Sequence, residues 1–218
     1  MKKYSCVIFD LDGTLADTIA DIAASMNRAL ELHGFPRRPP EMYPGIVGYG
    51  IKKLAFDALP EETGTEEIAA AIAADAARFY AEKPLVHTRA YPGIPELIAE
   101  LRGKKIKTAV ISNKPDPVTR IVVHGLFPAG SFDLVQGERQ GIARKPDPAA
   151  VWEILVQLDK TPRDTIFVGD SEVDMETARN ASCFPLGVSW GFRPVSVLEE
   201  AGAALIVDSP GEISAFLD

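Results

Sequence analysis

Two aspartates separated by one residue follow the first apolar run of the chain. The run Cys6–Phe9 ends at Asp10, and Leu11 separates this residue from Asp12. Four apolar residues followed by two carboxylates and Gly13 indicate a buried parallel strand that ends in a polar loop. Two such carboxylates repel each other by about 1 kcal/mol in water at ~4 Å, and more strongly in a drier site. A bound cation would relieve this repulsion, whereas a solvated turn is the simpler explanation for these residues taken alone.

Three further polar motifs lie beside predicted strands and helices. They are Ser112-Asn113 after the strand Thr108–Ile111, Asp170 with Asp174 after the strand Thr165–Val168, and Lys145 just before a helix whose first residue is Pro148. Each motif alone has an ordinary explanation, as a helix cap or as a solvated surface lysine. Because the carboxyl ends of parallel strands meet at one edge of a sheet, we expect all of these side chains to share one site.

The residue types in this set point to phosphoryl transfer. Carboxylates suit Mg²⁺, which takes one or two protein oxygens and leaves room for a substrate phosphate. Ser112, nearby backbone N–H groups and Lys145 are suited to hold the remaining phosphate oxygens. Two aspartates such as Asp10 and Asp12 can divide the work, one attacking phosphorus and the other moving protons. The sequence has no Gly-x-x-x-x-Gly-Lys-Ser/Thr loop, so nucleotide binding of that kind is not indicated.

The elements that must position these residues alternate between strand and helix. The predicted strands are Cys6–Phe9, Thr108–Ile111, Phe132–Val135, Thr165–Val168, Leu186–Val188 and Ala204–Val207. The predicted helices between them are Pro95–Arg102, Val118–His124, Pro148–Leu158, Met175–Ala181 and Val195–Ala201. This alternation predicts an α/β fold, with a doubly wound parallel sheet covered by helices on both faces. We expect residues 1–16 and 85–218 to form this core domain.

Residues 17–84 interrupt the alternation, and we expect them to form an inserted, all-helical cap domain. Apolar residues from Ile19 to Leu30 recur at helical spacing, with Asp17 placed to cap the start and Gly34 to end the helix. Two more helices are predicted at Ile51–Leu59 and from Thr63 or Thr65 to about Ala81. A glycine-rich loop at residues 45–50 precedes the second helix of the cap.

Composition limits the classes of partner. The chain has 218 residues, a net charge of −8, 46% hydrophobic residues and two cysteines. This acidic balance argues against a nucleic-acid partner, since phosphate backbones bind basic surfaces. No apolar run reaches the roughly 20 residues of a membrane helix, and the N-terminus lacks a signal-peptide core, so we expect a cytoplasmic protein with no membrane partner. Two cysteines support neither a disulfide framework nor a cysteine-based metal site.

The ordered motifs resemble those of the haloacid dehalogenase superfamily of phosphohydrolases. The matching segments are Asp10-Leu11-Asp12-Gly13-Thr14-Leu15, Ser112-Asn113, Lys145-Pro146, and Gly169-Asp170 with Asp174. The helical insertion after the first motif is similar to the cap of the subfamily that contains phosphoglycolate phosphatases. This narrower likeness extends to Val47-Gly48-Tyr49-Gly50 and to the segment Gly187–Arg193. One departure is Ser182, where such proteins commonly have glycine.

The resemblance implies a role for each matching residue. Asp10 would be the nucleophile that forms an aspartyl-phosphate, and Asp12 would protonate the leaving alcohol and then activate water. Mg²⁺ would be bound by Asp10, Asp170 and the backbone carbonyl of Asp12, with Asp174 acting from outside the direct ligands. Ser112 would bind the phosphoryl group, and Lys145 would stabilise both the phosphate and Asp10.

The substrate predicted from this resemblance is a small phosphorylated metabolite, with phosphoglycolate favoured. A sugar-phosphate mutase, a pyrophosphatase and a non-catalytic phosphate-binding module remain alternatives. For substrate binding we expect Asn113, Gly48 and Lys52, because the glycine-rich loop can approach an anion and Lys52 or Lys53 can offset a second negative charge. The alternative is that both lysines simply lie on the solvated face of the helix Ile51–Leu59. The oligomeric state expected is a monomer or a homodimer.

Overall fold

A parallel sheet forms the centre of the computed structural model, which describes residues 4–60 and 63–217. In chain order the strands are β1 (Cys6–Phe9), β2 (Ala16–Asp17), β3 (Arg89–Ala90), β4 (Lys107–Pro115), β5 (Leu134–Glu138), β6 (Thr165–Gly169), β7 (Phe184–Val188) and β8 (Leu205–Val207). Six of them form one sheet in the order β5-β4-β1-β6-β7-β8, with every adjacent pair parallel. The predicted α/β class is confirmed.

Helices cover both faces of this sheet. They are α1 (Ile19–Leu32), α2 (Tyr43–Ile46), α3 (Ile51–Ala58), α4 (Glu66–Glu82), α5 (Ile94–Gly103), α6 (Asp116–Leu126), α7 (Ala149–Leu158), α8 (Glu172–Asn180), α9 (Val195–Glu200) and α10 (Pro210–Leu217). Along β1 the side chains alternate between two buried clusters, because successive strand residues point to opposite faces. Cys6 and Ile8 pack with residues of α7, whereas Val7 and Phe9 share a cluster with α5 and α6. Since β1 is fully buried in the middle of the sheet, Asp10 emerges at the centre of its carboxyl edge.

The insertion between β1 and β4 is built from α1, α3 and α4, which pack against one another. The chain enters and leaves it through β2 and β3, which pair antiparallel, with Ala16 opposite Ala90 and Asp17 opposite Arg89. The prediction that residues from 17 onward are only helix and loop is therefore wrong at Asp17. A two-residue strand carries too little periodicity to be recognised in a sequence. The predicted division into a core domain, residues 1–16 and 85–218, and a cap domain, residues 17–84, stays a proposal. The outer ends of the core domain, residues 1 and 218, lie outside the described residues.

Several element boundaries differ from the predicted ones by a few residues. The N-cap of α1 is Thr18 and not Asp17, although an Asp17 carboxylate oxygen accepts a hydrogen bond from the Ile19 N–H at 3.3 Å. The N-cap of α7 is Pro148, which was predicted to be its first helical residue. The strand predicted at Phe132–Val135 is β5, two residues further along the chain. The helix predicted from Met175 begins at Glu172, because Ser171 and Asp174 form a capping box there.

Ser182 adopts a backbone conformation in which glycine is favoured. Its φ is +61°, in the left-handed region that a side chain disfavours. The residue lies just after α8, where many helices end on a glycine. The side chain of Ser182 therefore strains the end of α8 that lies opposite the first turn with Asp174. Within the residues that the structure describes, no helix is both long and apolar enough to span a membrane.

Candidate active site

Three buried carboxylates come together at the carboxyl edge of the sheet. Asp10 follows β1, Asp170 follows β6, and Asp174 lies in the first turn of α8. One oxygen of each carboxylate lies within 4.8 Å of an oxygen of the others. Burial raises the pKa of Asp10 well above its ordinary value, and the charge of Asp174 adds to this effect while Lys145 opposes it. The cluster thus concentrates negative charge in a dry environment.

Lys145 places a cation between two of these carboxylates. Its Nζ atom lies 2.6 Å from Asp10 Oδ1 and 2.7 Å from Asp174 Oδ1, and the residue is buried. Burial alone would lower the pKa of Lys145, but the charges of Asp10 and Asp174 raise it above its ordinary value. The ammonium group is therefore fixed as a permanent positive charge beside Asp10. The sequence prediction that Lys145 stabilises Asp10 is consistent with this contact.

Asp170 is oriented by two donors from different parts of the chain. The Thr14 hydroxyl donates to Oδ1 at 3.0 Å, and the Phe192 backbone N–H donates to Oδ2 at 2.7 Å. Burial and the charge of Asp174 raise the pKa of Asp170 to about 7, although the two hydrogen bonds act in the opposite direction. Gly13 makes room for this carboxylate, since a Cβ atom there would lie 2.2 Å from Asp170 Oδ2. Glycine is thus required between Asp12 and Thr14 for steric reasons as well as for its φ of +89°.

Asp174 has both of its carboxylate oxygens in contact with other site residues. Its Oδ1 contacts Lys145, while its Oδ2 accepts hydrogen bonds from the Ser171 hydroxyl at 2.5 Å and the Ser171 N–H at 3.2 Å. The same capping box that begins α8 therefore aims the carboxylate at Lys145. Because an oxygen of Asp174 belongs to the carboxylate group that could hold a metal, the residue is available as a direct ligand too.

Asp12 is held by a lysine that sequence reasoning missed. Asp12 Oδ1 accepts hydrogen bonds from the Thr18 hydroxyl and from Lys114 Nζ, both at 2.6 Å. Lys114 Nζ also lies 2.9 Å from the Tyr80 hydroxyl of α4, so a residue of the helical insertion reaches this pair. Burial opposes the charged form of Lys114, but Asp12 and Tyr80 raise its pKa above the ordinary value. The sequence pattern gave no signal for this contact, because the predicted strand ended at Ile111 and the register of β4 is irregular between Ile111 and Pro115.

The motif Ser112-Asn113 lies within β4, which continues to Pro115, and not after a strand that ends at Ile111. Ser112 lines the central cavity, as expected of a phosphate-binding hydroxyl. Asn113 has its polar atoms engaged by protein: Oδ1 accepts from the Lys145 N–H, and Nδ2 donates to the carbonyls of Lys145 and Gly48, all at 2.9 Å. These contacts position Lys145 and the glycine-rich loop, while substrate binding by Asn113 stays a prediction.

Side chains from the core hold the glycine-rich loop, residues 45–50, and Pro44 just before it. Arg193 donates to the carbonyls of Pro44 and Val47, the second at 2.8 Å, and pairs through Nε with Glu172 Oε2 at 2.9 Å. Gly48 lines the cavity, while its role in substrate binding stays a prediction. Lys52, by contrast, is exposed and is not among the residues that line the cavity. In this structure Lys52 therefore lies on the solvated face of its helix. Arg193 lines the cavity and, like Lys114, is a cation to which the sequence analysis assigned no role.

Comparison with known proteins agrees with this geometry. Residues 7–188 match the model of the family described as haloacid dehalogenase-like hydrolase. The chain belongs to this family. It is 31% identical over 186 residues to a phosphoglycolate phosphatase of Aquifex aeolicus, covering 85% of each chain. It is also 31% identical over 216 residues to a phosphoglycolate phosphatase of Chromobacterium violaceum, covering 98% of this chain and 96% of the relative.

A solved structure from Lactobacillus delbrueckii subsp. bulgaricus superposes with a TM-score of 0.92 at 33% identity, covering 99% of this chain and 98% of that one. Together with the family match, these similarities identify this haloacid dehalogenase-like hydrolase as a phosphatase related to phosphoglycolate phosphatases. A structure of a haloacid dehalogenase-like family protein from Streptococcus pneumoniae, at 22% identity and a TM-score of 0.88, shares the fold.

Proposed function

We propose that the chain hydrolyses a small phosphate monoester through a covalent phosphoryl group on Asp10. The observation that supports this proposal best is the buried contact of Lys145 with Asp10 and Asp174, beside Asp170, at the base of a cavity that Asp12 also lines. A nucleophile, a proton carrier and a fixed cation thus surround one space. Phosphoryl transfer needs chiefly this combination of positioning and charge stabilisation.

The same carboxylates fit a divalent cation. Asp10, Asp170 and Asp174 together carry three negative charges when ionised, and Lys145 offsets one of them. Burial is the main cause of the raised pKa values of Asp10 and Asp170, and the charge of the neighbouring Asp174 adds to it. Oxygen donors of this kind suit Mg²⁺, so Asp10, Asp170 and the backbone carbonyl of Asp12 are the proposed ligands, with Asp174 adjacent. When bound, Mg²⁺ supplies positive charge to the phosphoryl oxygens.

The proposed reaction has two halves, in which Asp10 and Asp12 have separate roles. A carboxylate oxygen of Asp10 attacks phosphorus, the bond from phosphorus to the ester oxygen breaks, and Asp12 gives a proton to the departing alcohol. Asp12 then takes a proton from water as that water attacks phosphorus, and the bond between Asp10 and phosphorus breaks to release phosphate. Ser112 and Lys145 hold the phosphoryl oxygens throughout.

Phosphoglycolate is the substrate that we propose first. Its support comes from the relatives named phosphoglycolate phosphatase at 31% identity. Lys114 lines the cavity next to Asp12, where the leaving alcohol would lie, and therefore provides positive charge near the carboxylate of a glycolate group.

The assay that tests this function measures phosphate release from phosphoglycolate by the purified chain. We expect release with added Mg²⁺, loss of release after chelation, and none from Asp10→Asn, which keeps size but removes the nucleophile. A matched control is Asp17→Asn, since Asp17 is exposed on β2 and does not line the cavity. Release that persists after chelation, or that survives in Asp10→Asn, would contradict the proposal.

A further inference from the structure

The central cavity extends well beyond the carboxylates, into the helical insertion. Side chains of both the core and the insertion line it. Asp10, Ser112 and Lys145 occupy its base on the core side. The opposite wall is formed by α1, α3 and α4, which contribute the side chains of Ile22, Ser25, Met26, Ile51, Leu54, Ala76, Ala77 and Tyr80. The leaving group of a phosphate ester bound at Asp10 must project toward this wall.

The wall is apolar, because its two polar residues are already committed elsewhere. The Ser25 hydroxyl donates within its own helix, to the carbonyls of Asp21 at 2.6 Å and Ile22 at 3.0 Å. The Tyr80 hydroxyl contacts Lys114 at 2.9 Å. The remaining side chains from the three helices are aliphatic or Met. A polyhydroxylated leaving group would lose hydrogen bonds to water here without replacing them, which is costly.

The cations that line the cavity are also engaged. Lys145 pairs with Asp10 and Asp174, and Lys114 pairs with Asp12. Arg193 pairs with Glu172 and donates to loop carbonyls. A leaving group with a second phosphate carries more negative charge than the single carboxylate of glycolate, and it would have to compete with these carboxylates for its counter-charge. An apolar leaving group meets no such competition and gains free energy from the surface that it buries.

We propose that this wall, formed by α1, α3 and α4, is a subsite for an apolar leaving group, so that among phosphate monoesters of unbranched alkyl alcohols the chain prefers those long enough to contact it. This inference extends the proposed function and rests on it for turnover, but the subsite itself binds ligands independently of turnover. Phosphoglycolate would place its carboxylate near Lys114, whereas a longer alkyl chain would extend toward the side chains of α3 and α4 that line the cavity.

The test is a series of n-alkyl phosphates from methyl to pentyl. Burying one methylene group in the subsite is expected to raise kcat/KM by roughly threefold to fourfold per carbon until the wall is reached. A series of non-hydrolysable n-alkylphosphonates, followed by calorimetry, should show Kd falling by a similar factor per carbon. The second series measures the subsite without relying on catalysis.

Two positions on α4 provide a matched pair of variants. Ala77 is half-buried and lines the cavity, whereas Ala74, three residues earlier, is exposed and does not. We expect Ala77→Asn to remove the dependence of kcat/KM and of Kd on the length of the alkyl chain. Ala74→Asn should leave both dependences as in the unmodified chain. Ile51→Asn on α3 provides a second disruption of the wall if Ala77→Asn does not fold.

Each outcome separates the subsite from the proposed function. Hydrolysis of methyl phosphate with no gain for longer chains would overturn the subsite and leave the phosphatase reaction intact. Phosphonate affinity that rises with chain length, in the absence of any turnover, would overturn the proposed reaction and support the subsite. Equal chain-length gains in Ala77→Asn, Ile51→Asn and the unmodified chain would show that the apolar group binds elsewhere, and would overturn the proposal.

Discussion

Replacing Asp12 by Asn is expected to lower kcat for ethyl phosphate by about 10²–10⁴, equivalent to roughly 3–5 kcal/mol of barrier. The amide keeps the size of the side chain and a hydrogen-bond acceptor for Thr18 and Lys114, which both contact Asp12 Oδ1. It removes the proton that an alkoxide leaving group needs. Steady-state kinetics with saturating ethyl phosphate measures the loss.

The choice of ester distinguishes lost proton transfer from general damage to the site. An aryl phosphate has a leaving group that departs without a proton, so the first half of the reaction should be much less impaired by Asp12→Asn. We therefore expect a fast initial release of the aryl alcohol followed by slow turnover, because Asp12 is also needed to activate water. If Asp12→Asn kept more than about a tenth of the turnover of ethyl phosphate, its assignment as proton carrier would be wrong.

Replacing Lys145 by Met is expected to destabilise the fold by about 3–5 kcal/mol, because it leaves buried carboxylates without their partner. Lys145 is 5% exposed and its ammonium group contacts both Asp10 and Asp174. Chemical denaturation in the absence of divalent cations gives the free energy of unfolding. The matched control is Lys52→Met, which removes the same charge from an exposed position and should change stability by less than about 0.5 kcal/mol.

A double variant shows whether charge is the cause of this loss. Asp174→Asn removes one of the two carboxylates that Lys145 neutralises. Added to Lys145→Met, it should restore part of the lost stability, because fewer like charges then remain buried together. A loss below about 1 kcal/mol in Lys145→Met, or no recovery in the double variant, would mean that the contact contributes little to the charge balance of the site.

The strand-end residues could be predicted from the sequence because a parallel sheet leaves little freedom there. Strands that run in one direction bring their carboxyl ends to one edge, so Asp10 and Asp170 had to be neighbours once their strands were recognised. The same rule does not determine how far a strand continues. Ser112 and Lys114 lie inside β4, because the strand pairs with β5 again at Pro115 after an irregular stretch that follows Ile111.

Residues of the loops and the insertion were harder to predict, because long-range packing decides where their side chains point. Arg193 reaches the glycine-rich loop only because the chain after β7 passes Asp170, where Phe192 donates its N–H. Lys52 follows two glycines in the sequence, yet the orientation of α3 turns it to solvent and turns Leu54 to the cavity. Helical periodicity indicates which residues share a face, but not which face meets the substrate.

Chemical trapping of the phosphorylated aspartate tests the central claim most directly. Borohydride reduces an acyl phosphate to an alcohol, so quenching the enzyme during turnover of an aryl phosphate and sequencing its peptides by mass spectrometry reveals which carboxylate carried the phosphoryl group. We predict homoserine in place of Asp10, more of it in Asp12→Asn because hydrolysis of the intermediate is slowed there, and none in Asp10→Asn. Homoserine at another carboxylate, or none at any position while phosphate is being released, would contradict nucleophilic attack by Asp10.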